Sequence, residues 1–317
     1  MAKKYELKLG AATREAFGRA IVELGKENEN VVVCDADLSK STMTTYFAKE
    51  FPSRFFSCGI AESNMVSIGA GLASSGKIPF VSSFSAFVVN KGFEQLRVNV
   101  AYPNVNLKVV GTHSGISIGE DGPSQMSIED LALTCSLPGF VVISPADEIA
   151  MTALCKQSAA HVGPVFLRAG RVKVPVIYEK DQVFEIGKAI ELVAGTDVTL
   201  ISHGLMVAEA IKASEALAAE GISAAVIDMH TIKPIDRDAI ANAAAKTGAI
   251  VVAEEHLVDG GLGVRVAQVV AETKPCAMEF VGLTTYAESG SPDEVLNKFG
   301  MNAGSIIAAA KKVLARK

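Results

Sequence analysis

Short apolar runs rich in β-branched residues alternate with longer helical windows along most of this sequence. Strands that are apolar throughout, rather than at every second position, are typical of a parallel sheet that helices cover on both faces. The first series has strands at 30–37, 77–83, 107–113, 140–145 and 164–170, and helices near 11–27, 62–75, 86–101, 127–136 and 147–160. The alternation therefore predicts an α/β fold.

A charged stretch without helical periodicity, residues 173–188, interrupts the alternation and contains Pro175. Such a stretch is typical of a linker between domains. Beyond it the pattern predicts strands at 197–204, 223–232, 249–256 and 278–283, and helices at 206–220, 236–247, 262–272 and 303–315. Because 317 residues suit two domains, we predict two parallel-sheet domains, residues 1–172 and 189–317.

Composition narrows the classes of function. The net charge is −5 and no block of Lys or Arg occurs, so we expect no nucleic-acid partner. No apolar run reaches the length of a transmembrane helix, so we expect no membrane partner. The 5 cysteines are widely spaced without a Cys-x-x-Cys, which is typical of reduced thiols. The charged N-terminus, MAKKYELKLG, is unlike a signal peptide, and we expect a cytoplasmic protein.

The common ligand motifs are missing from the sequence. It contains no Gly-x-Gly-x-x-Gly, P-loop, His-Glu-x-x-His or Gly-x-Ser-x-Gly. In open parallel sheets, ligands usually bind beyond the carboxyl ends of the strands. Glu62, His113 and Arg168 follow or end predicted strands, so they could converge at such an edge.

Glu62 lies within GIAESNM (59–65), directly before the small and apolar run VSIGAGLASSG. A buried carboxylate costs free energy unless another group compensates it. The residues alone allow two interpretations. Glu62 is either a solvated carboxylate at a helix start, where the dipole favours negative charge, or an acid that meets a ligand.

A second candidate segment is the polar loop GTHSGISIGEDGPSQMS at 111–127, which follows a predicted strand. It holds His113, Asp121 and Gln125 among glycines. Long polar loops between regular elements are often functional, although a single histidine is more often structural than catalytic.

These two segments occur together with FSAF (84–87), FLRAGR (166–171), HTIKPIDRDAI (230–240) and SGSPDEVLNKFG (289–300). In that order they resemble the second half of transketolase, its pyrimidine-binding domain followed by its C-terminal domain. The resemblance covers nearly the whole chain, and GIAESNM with GEDGPSQM is its most specific part. It implies a transferase of the pentose phosphate pathway that uses thiamine diphosphate and Mg²⁺ to move a two-carbon ketol unit between sugar phosphates.

The resemblance also implies roles for individual residues. Glu62 and His113 would be catalytic. Glu62 would bond N1′ of the cofactor's aminopyrimidine and would keep or share a proton, because an apolar pocket disfavours the charged carboxylate. The cofactor contacts would be Glu62, Ile60, Phe84 and Phe87. The substrate contacts would be Arg14, Ser41, His113, Asp121, Gln125 and Arg168.

Two of these substrate roles have a chemical reason. An arginine fork suits a phosphate because it donates two parallel hydrogen bonds. Asp121 would bond the hydroxyl of the donor sugar and favour its stereochemistry, as the matching residue of the family does.

The chain departs from the family after Phe87, where it reads VVNKGFEQLR. The resemblance implies a third aromatic residue or an arginine near Asn90, and the stretch is one residue longer than expected. Phe93 is the candidate replacement for the missing aromatic residue.

The second departure is an absence. Transketolase carries metal ligands in its first half, in a Gly-Asp-Gly and a later Asn, and this chain contains no Gly-Asp-Gly. The resemblance therefore implies no metal ligand here. It implies a separate N-terminal subunit that binds the diphosphate and most of the metal in an α2β2 heterotetramer, and a chain that is inactive alone.

Three alternatives stay open at this point. The chain could belong to a deoxyxylulose-phosphate synthase-like enzyme or be the β-subunit of a 2-oxo-acid dehydrogenase. It could also be a non-catalytic partner of a full-length transketolase.

Overall fold

Two helix-covered sheets organise residues 5–317, the part of the chain that the computed structural model describes. The strands are β1 Leu9–Ala12, β2 Val31–Asp35, β3 Phe55–Ser57, β4 Ile78–Phe84, β5 Lys108–Thr112, β6 Val141–Ile143, β7 Val165–Arg168, β8 Lys173–Pro175, β9 Ile190–Val193, β10 Val198–Ser202, β11 Ala224–Asp228, β12 Thr231–Lys233, β13 Ala249–Leu257 and β14 Ala277–Leu283.

The helices that cover these sheets are α1 Thr13–Glu27, α2 Ser39–Thr42, α3 Thr45–Glu50, α4 Glu62–Ser74, α5 Ser85–Val88, α6 Phe93–Gln95, α7 Asp130–Ser136, α8 Glu148–Ala160, α9 Met206–Ala219, α10 Arg237–Thr247, α11 Leu262–Glu272, α12 Pro292–Lys298 and α13 Ala303–Leu314. A π-helical segment covers Leu96–Ala101, and 3₁₀ turns cover Pro52–Arg54 and Gly119–Asp121.

The larger sheet has seven strands in the order β12-β6-β7-β5-β4-β2-β3, and all but β12 run parallel. The smaller sheet has five strands in the order β14-β13-β10-β11-β9, in which only β9 is antiparallel. The central strands β2, β5, β10 and β11 are buried along their whole length, as expected for sheets covered on both faces. The predicted α/β fold with two parallel-sheet domains is confirmed.

The predicted strand at 223–232 is wrong in its extent. The chain leaves the smaller sheet at Asp228 and returns as β12 to the edge of the larger sheet, antiparallel to β6. The backbone N–H of Met229 still bonds Ser202 of the smaller sheet at 2.8 Å, whereas the carbonyl of His230 already accepts from Ser144 beside the larger sheet at 2.8 Å. One apolar run thus serves two sheets, which periodicity alone does not reveal.

The predicted helix at 86–101 is also wrong in its continuity. It divides into α5, α6 and the π-helical segment Leu96–Ala101. Gly92 lies at the break, and a Cβ atom there would approach the carbonyl oxygen of Val88 to 2.5 Å. Because a π turn holds more residues than an α turn, it accommodates a locally longer chain.

The first residues of the predicted linker form strand β8, which pairs antiparallel with β1. Residues 176–189, which contain no strand or helix, then lead to the smaller sheet. Short elements that the sequence analysis does not predict include β1, β3, β9 and α12, most of which lie at sheet edges or at the surface.

A buried ion pair joins the two domains. At the end of β7, Arg168 Nε lies 2.8 Å from Asp130 Oδ2, and their side chains are 5% and 0% exposed. Arg168 Nη2 also donates to the backbone oxygen of Glu255 on β13, at 3.0 Å. Burial alone would raise the pKa of Asp130, but the charges of Arg168 and His256 outweigh burial and hold that pKa below its usual value. Asp130 also accepts from Ser85 Oγ at 2.8 Å, so the pair reaches the start of α5.

Asp130→Ala should destabilise the protein by about 3–5 kcal/mol, because it leaves the buried Arg168 guanidinium without its counter-charge. Urea denaturation of the purified chain, followed by circular dichroism, measures the change. Glu94→Ala is the control, since it removes an exposed pair with Arg97 and should leave the midpoint nearly unchanged. Equal midpoints for the two variants would contradict a structural role for the buried pair.

Candidate functional site

Glu62 is the first residue of α4 and is 3% exposed. Ser83 Oγ donates to its Oε1 atom at 3.2 Å, and Lys91 Nζ lies 3.6 Å from its Oε2 atom. Ile60, two residues earlier, is 78% exposed and therefore forms an open apolar rim beside the buried acid. The solvated helix-start interpretation of Glu62 is wrong, because the carboxyl is buried against named partners.

Aromatic side chains form one wall beside Glu62. The rings of Phe84 and Phe87 stack with centroids 5.6 Å apart and an interplanar angle of 13°. Phe84 also stacks on His113 with centroids 3.8 Å apart. The geometry follows from the sheet, since Phe84 ends β4 directly opposite Thr112, which ends β5. Lys91 Nζ lies 4.4 Å from the centroid of the Phe87 ring.

His113 connects this wall to a basic pocket. Its backbone is left-handed, with φ of 57°, a conformation that is uncommon outside glycine and often found at functional sites. Nε2 lies 3.3 Å from Arg14 Nη1, and Nδ1 lies 2.9 Å from Thr112 Oγ1. Since arginine only donates, Nε2 accepts, which places the ring proton on Nδ1. Burial, together with the charges of Arg14 and Arg171, lowers the pKa of His113 to about 3.

Arg14 completes the pocket. Its Nη1 donates to the backbone oxygen of Ser41 at 2.7 Å. Its Nε is buried and has no partner among residues 5–317. A buried unpaired donor costs free energy, so the pocket is suited to an incoming acceptor such as an anionic oxygen. The structure thus brings together Arg14, Ser41, His113, Phe84, Phe87 and Glu62 in one connected site.

The predicted substrate contacts Asp121 and Gln125 lie on the polar loop, where both are accessible to solvent. Asp121 is exposed at the end of the turn Gly119–Asp121, and Gln125 is half-buried. Neither side chain makes a hydrogen bond within the described part of the chain. The loop itself is held by Glu120, which pairs with Arg171 at 2.6 Å. Both side chains are therefore available to a ligand, and their substrate roles stay predictions.

Arg168 makes its side-chain contacts away from Arg14, His113 and Glu62. It is 5% exposed, and its Nε and Nη2 atoms bond Asp130, Ser127 and Glu255. Its role as a phosphate ligand stays a prediction, and one that this burial does not favour.

The sequence analysis missed Lys91, Ser83 and Thr112. Ser83 and Thr112 link Glu62 to His113, since Thr112 Oγ1 donates to the Ser83 carbonyl at 3.3 Å and Ser83 Oγ donates to Glu62. Their small polar side chains within apolar strands carry no recognisable signal. For Lys91 a signal existed, because it lies in the stretch where an aromatic residue or an arginine is expected.

Comparison with known proteins identifies the architecture around this site. The family model of the transketolase pyrimidine-binding domain matches residues 10–176, and that of the transketolase C-terminal domain matches residues 187–306. The chain belongs to the transketolase family. The glutamate, the aromatic pair and the basic pocket all lie in its pyrimidine-binding domain.

Two curated relatives match nearly from end to end. A Methanocaldococcus jannaschii protein, provisionally named a transketolase C-terminal section, is 44% identical over 95% of both chains. A 6-deoxy-6-sulfo-D-fructose transketolase subunit of a Clostridium species is 38% identical over 100% of this chain and 99% of its own. A solved structure described as a split-gene transketolase, inactive beta4 tetramer, is 46% identical with a TM-score of 0.91, over 96% of this chain and 99% of its own.

Between residues 5 and 317, no group of three or more His, Cys, Asp or Glu side chains is placed to hold a metal ion. Over the same range, no helix has both the length and the apolar character needed to cross a bilayer.

We expect the His113 imidazole to remain neutral between pH 5 and pH 8, because its pKa lies at about 3. In the unfolded chain an ordinary histidine titrates near pH 6.5. The unfolded state therefore binds the extra proton first, and stability should fall as the pH drops from about 6.5 towards 3. Imidazole C–H resonances, assigned with His113→Gln, would test this. A folded-state inflection near pH 6 would contradict it.

Proposed function

We propose that this chain is the C-terminal subunit of a split transketolase that transfers a two-carbon ketol unit between sugar phosphates. The observation that carries the proposal is the buried Glu62 beside the stacked Phe84–Phe87 wall, in a domain of the transketolase pyrimidine-binding family. An apolar face and a buried acid side by side suit an aminopyrimidine ring. The acid meets a ring nitrogen while the aromatic residue covers the ring face.

The residues present fit thiamine diphosphate by their own geometry. The Lys91 ammonium, a hydrogen-bond donor, lies close to both Glu62 and the Phe87 ring. The space between these two groups can therefore hold a hydrogen-bond donor. When bound, thiamine diphosphate would supply the carbanion-stabilising chemistry of ketol transfer. Glu62 would hold a proton at the ring nitrogen. Phe84, Phe87 and Ile60 would exclude water from that contact.

The basic pocket would bind the substrate. Arg14 brings an unpaired buried donor at Nε, and the neutral ring of His113 lies beside its Nη1 atom. Arginine suits a sugar phosphate, or another anionic sugar, because its donors match the planar arrangement of anionic oxygens. Ser41 would add a hydroxyl, and Asp121 and Gln125 would meet the sugar hydroxyls from the polar loop. The anionic end group need not be a phosphate, since one relative is named for a sulfonated sugar.

A partner subunit would complete the enzyme. The sequence contains no Gly-Asp-Gly, and two relatives that match from end to end are a subunit and a C-terminal section. A separate N-terminal chain would bind the diphosphate and the Mg²⁺. Two copies of each chain would form an α2β2 assembly, and this chain alone would be inactive, as the described relative in its beta4 form is.

Reconstitution tests the proposal directly. Mixing this chain with a candidate partner that carries Gly-Asp-Gly, thiamine diphosphate and Mg²⁺ should give ketol transfer from xylulose 5-phosphate, and neither chain should be active alone. Assembly without any turnover would favour a non-catalytic binding role. Turnover with a 2-oxo acid as the donor instead would favour a related thiamine enzyme.

Glu62→Gln should lower ketol transfer by about 10²- to 10⁴-fold in the assembled pair, because an amide cannot hold the transferable proton. The melting temperature and circular dichroism should change little, since the amide keeps the shape of the side chain. Glu94→Gln, on the exposed side of the same domain, should keep full turnover. Normal turnover by Glu62→Gln would contradict the proton-holding role.

Asp121→Ala should slow the donor half-reaction by about 5- to 100-fold, because it removes one hydrogen bond to the donor sugar. Single-turnover kinetics with the donor alone would measure the effect. The exposed linker residue Asp181 provides the control variant Asp181→Ala. Donor kinetics that match the control would remove Asp121 from the site.

A further inference from the structure

Lys91 makes two contacts that converge at the proposed cofactor site. Its Nζ lies 3.6 Å from Glu62 Oε2 and 4.4 Å from the centroid of the Phe87 ring. The Lys91 side chain is 53% exposed, whereas that of Glu62 is 2% exposed. The ammonium therefore bridges from solvent to a buried acid across the face of an aromatic ring.

The backbone of Lys91 is fixed while its side chain is mobile by nature. Its N–H bonds the Phe87 carbonyl at 3.0 Å, and its carbonyl accepts from Ser63 Oγ at 2.6 Å. Ser63 directly follows Glu62, so the two contacts tie the Lys91 backbone to both walls of the site. The four-carbon stem of a lysine can swing away without moving this backbone.

The same two groups are those that an aminopyrimidine would use. Its ring nitrogen would need the Glu62 carboxyl, and its ring face would need the exposed side of Phe87. The ammonium and the ring cannot both occupy the space between them. A buried carboxyl without a partner is costly, and in the free subunit the Lys91 ammonium compensates it.

We propose that Lys91 is a placeholder for the aminopyrimidine. It occupies the position between Glu62 and Phe87 in the cofactor-free subunit and leaves when thiamine diphosphate binds. This inference rests on the proposed function. It predicts that the cofactor binds more weakly than it would to an open site, because it must first displace the ammonium. The apparent affinity is reduced in proportion to the fraction of subunits in which the site is open.

The placeholder role also accounts for the departure from the family pattern in VVNKGFEQLR, the stretch after Phe87. The break at Gly92 and the π turn that follows allow the chain to present Lys91 towards Glu62 while Phe93 begins the next helix. A half-exposed ion pair and a cation–π contact are each modest. The Lys91 contacts therefore weaken cofactor binding without preventing it.

Titration of thiamine diphosphate into the reconstituted pair, at saturating Mg²⁺, tests the proposal by calorimetry. Lys91→Met should bind the cofactor about three- to tenfold more tightly than the native pair, because the site is already open. Lys91→Gln is the second variant should the methionine disturb assembly, and it should bind more tightly as well. Lys212→Met is the matched control, since Lys212 is 48% exposed and pairs with Glu209 at 2.6 Å, in the other domain.

The outcomes separate this inference from the proposed function. Tighter binding by both Lys91 variants, with an unchanged Lys212 variant, supports the placeholder. Binding that is equal or weaker in the Lys91 variants, while the native pair binds normally, overturns the placeholder alone. No binding by the native pair overturns the proposed function and the placeholder with it.

Discussion

The buried Arg168–Asp130 pair is the constraint on which the geometry of the molecule depends. Two opposite charges inside a protein are stable only when both find partners. Here the partners come from β7, from the start of α7 and from Glu255 of the smaller sheet, while Ser85 brings in the first residue of α5. The turn that carries the aromatic wall is therefore anchored to the same charges that join the domains.

A second chain of polar contacts runs from the acid to the basic pocket along the carboxyl edge of the larger sheet. It passes from Glu62 through Ser83 and Thr112 to His113 and ends at Arg14. The step from Ser83 to Thr112 depends on the parallel register of β4 and β5, which places the last residues of the two strands side by side. The site thus combines a buried acid in an apolar corner with a neutral imidazole beside a fixed positive charge.

Sequence patterns predicted the fold well where a strand or helix is buried over its full length. The runs at β2, β4 and β5 and the helix at α11 were predicted to within a few residues, because burial imposes continuous or periodic apolarity. The run at 223–232 was mispredicted because apolarity does not say which sheet a residue joins. Likewise, the pattern at 86–101 suggests one helix, since nothing in apolar periodicity registers a π turn.

In the candidate site, likewise, sequence motifs indicated which residues matter, whereas only the folded structure shows their contacts. The motifs indicated Glu62, Phe84, Phe87 and His113, which the structure brings into one connected region.

Arg168 was predicted as a substrate ligand from its match to the family's motif, and that role stays a prediction. Only the folded structure reveals the buried acid with which it pairs.

Lys91 is the cation that lies beside the buried Glu62 carboxyl. Under the proposed function, the Glu62 carboxyl would have one partner in the free subunit and a different one in the assembled enzyme, so the first partner would have to be able to leave. A lysine whose backbone is held by two hydrogen bonds and whose side chain is 53% exposed would satisfy both demands. An arginine there would bind the carboxyl through a two-pronged fork and yield less readily. A lysine at this position is therefore better suited than an arginine to a site whose proposed ligand would have to displace it.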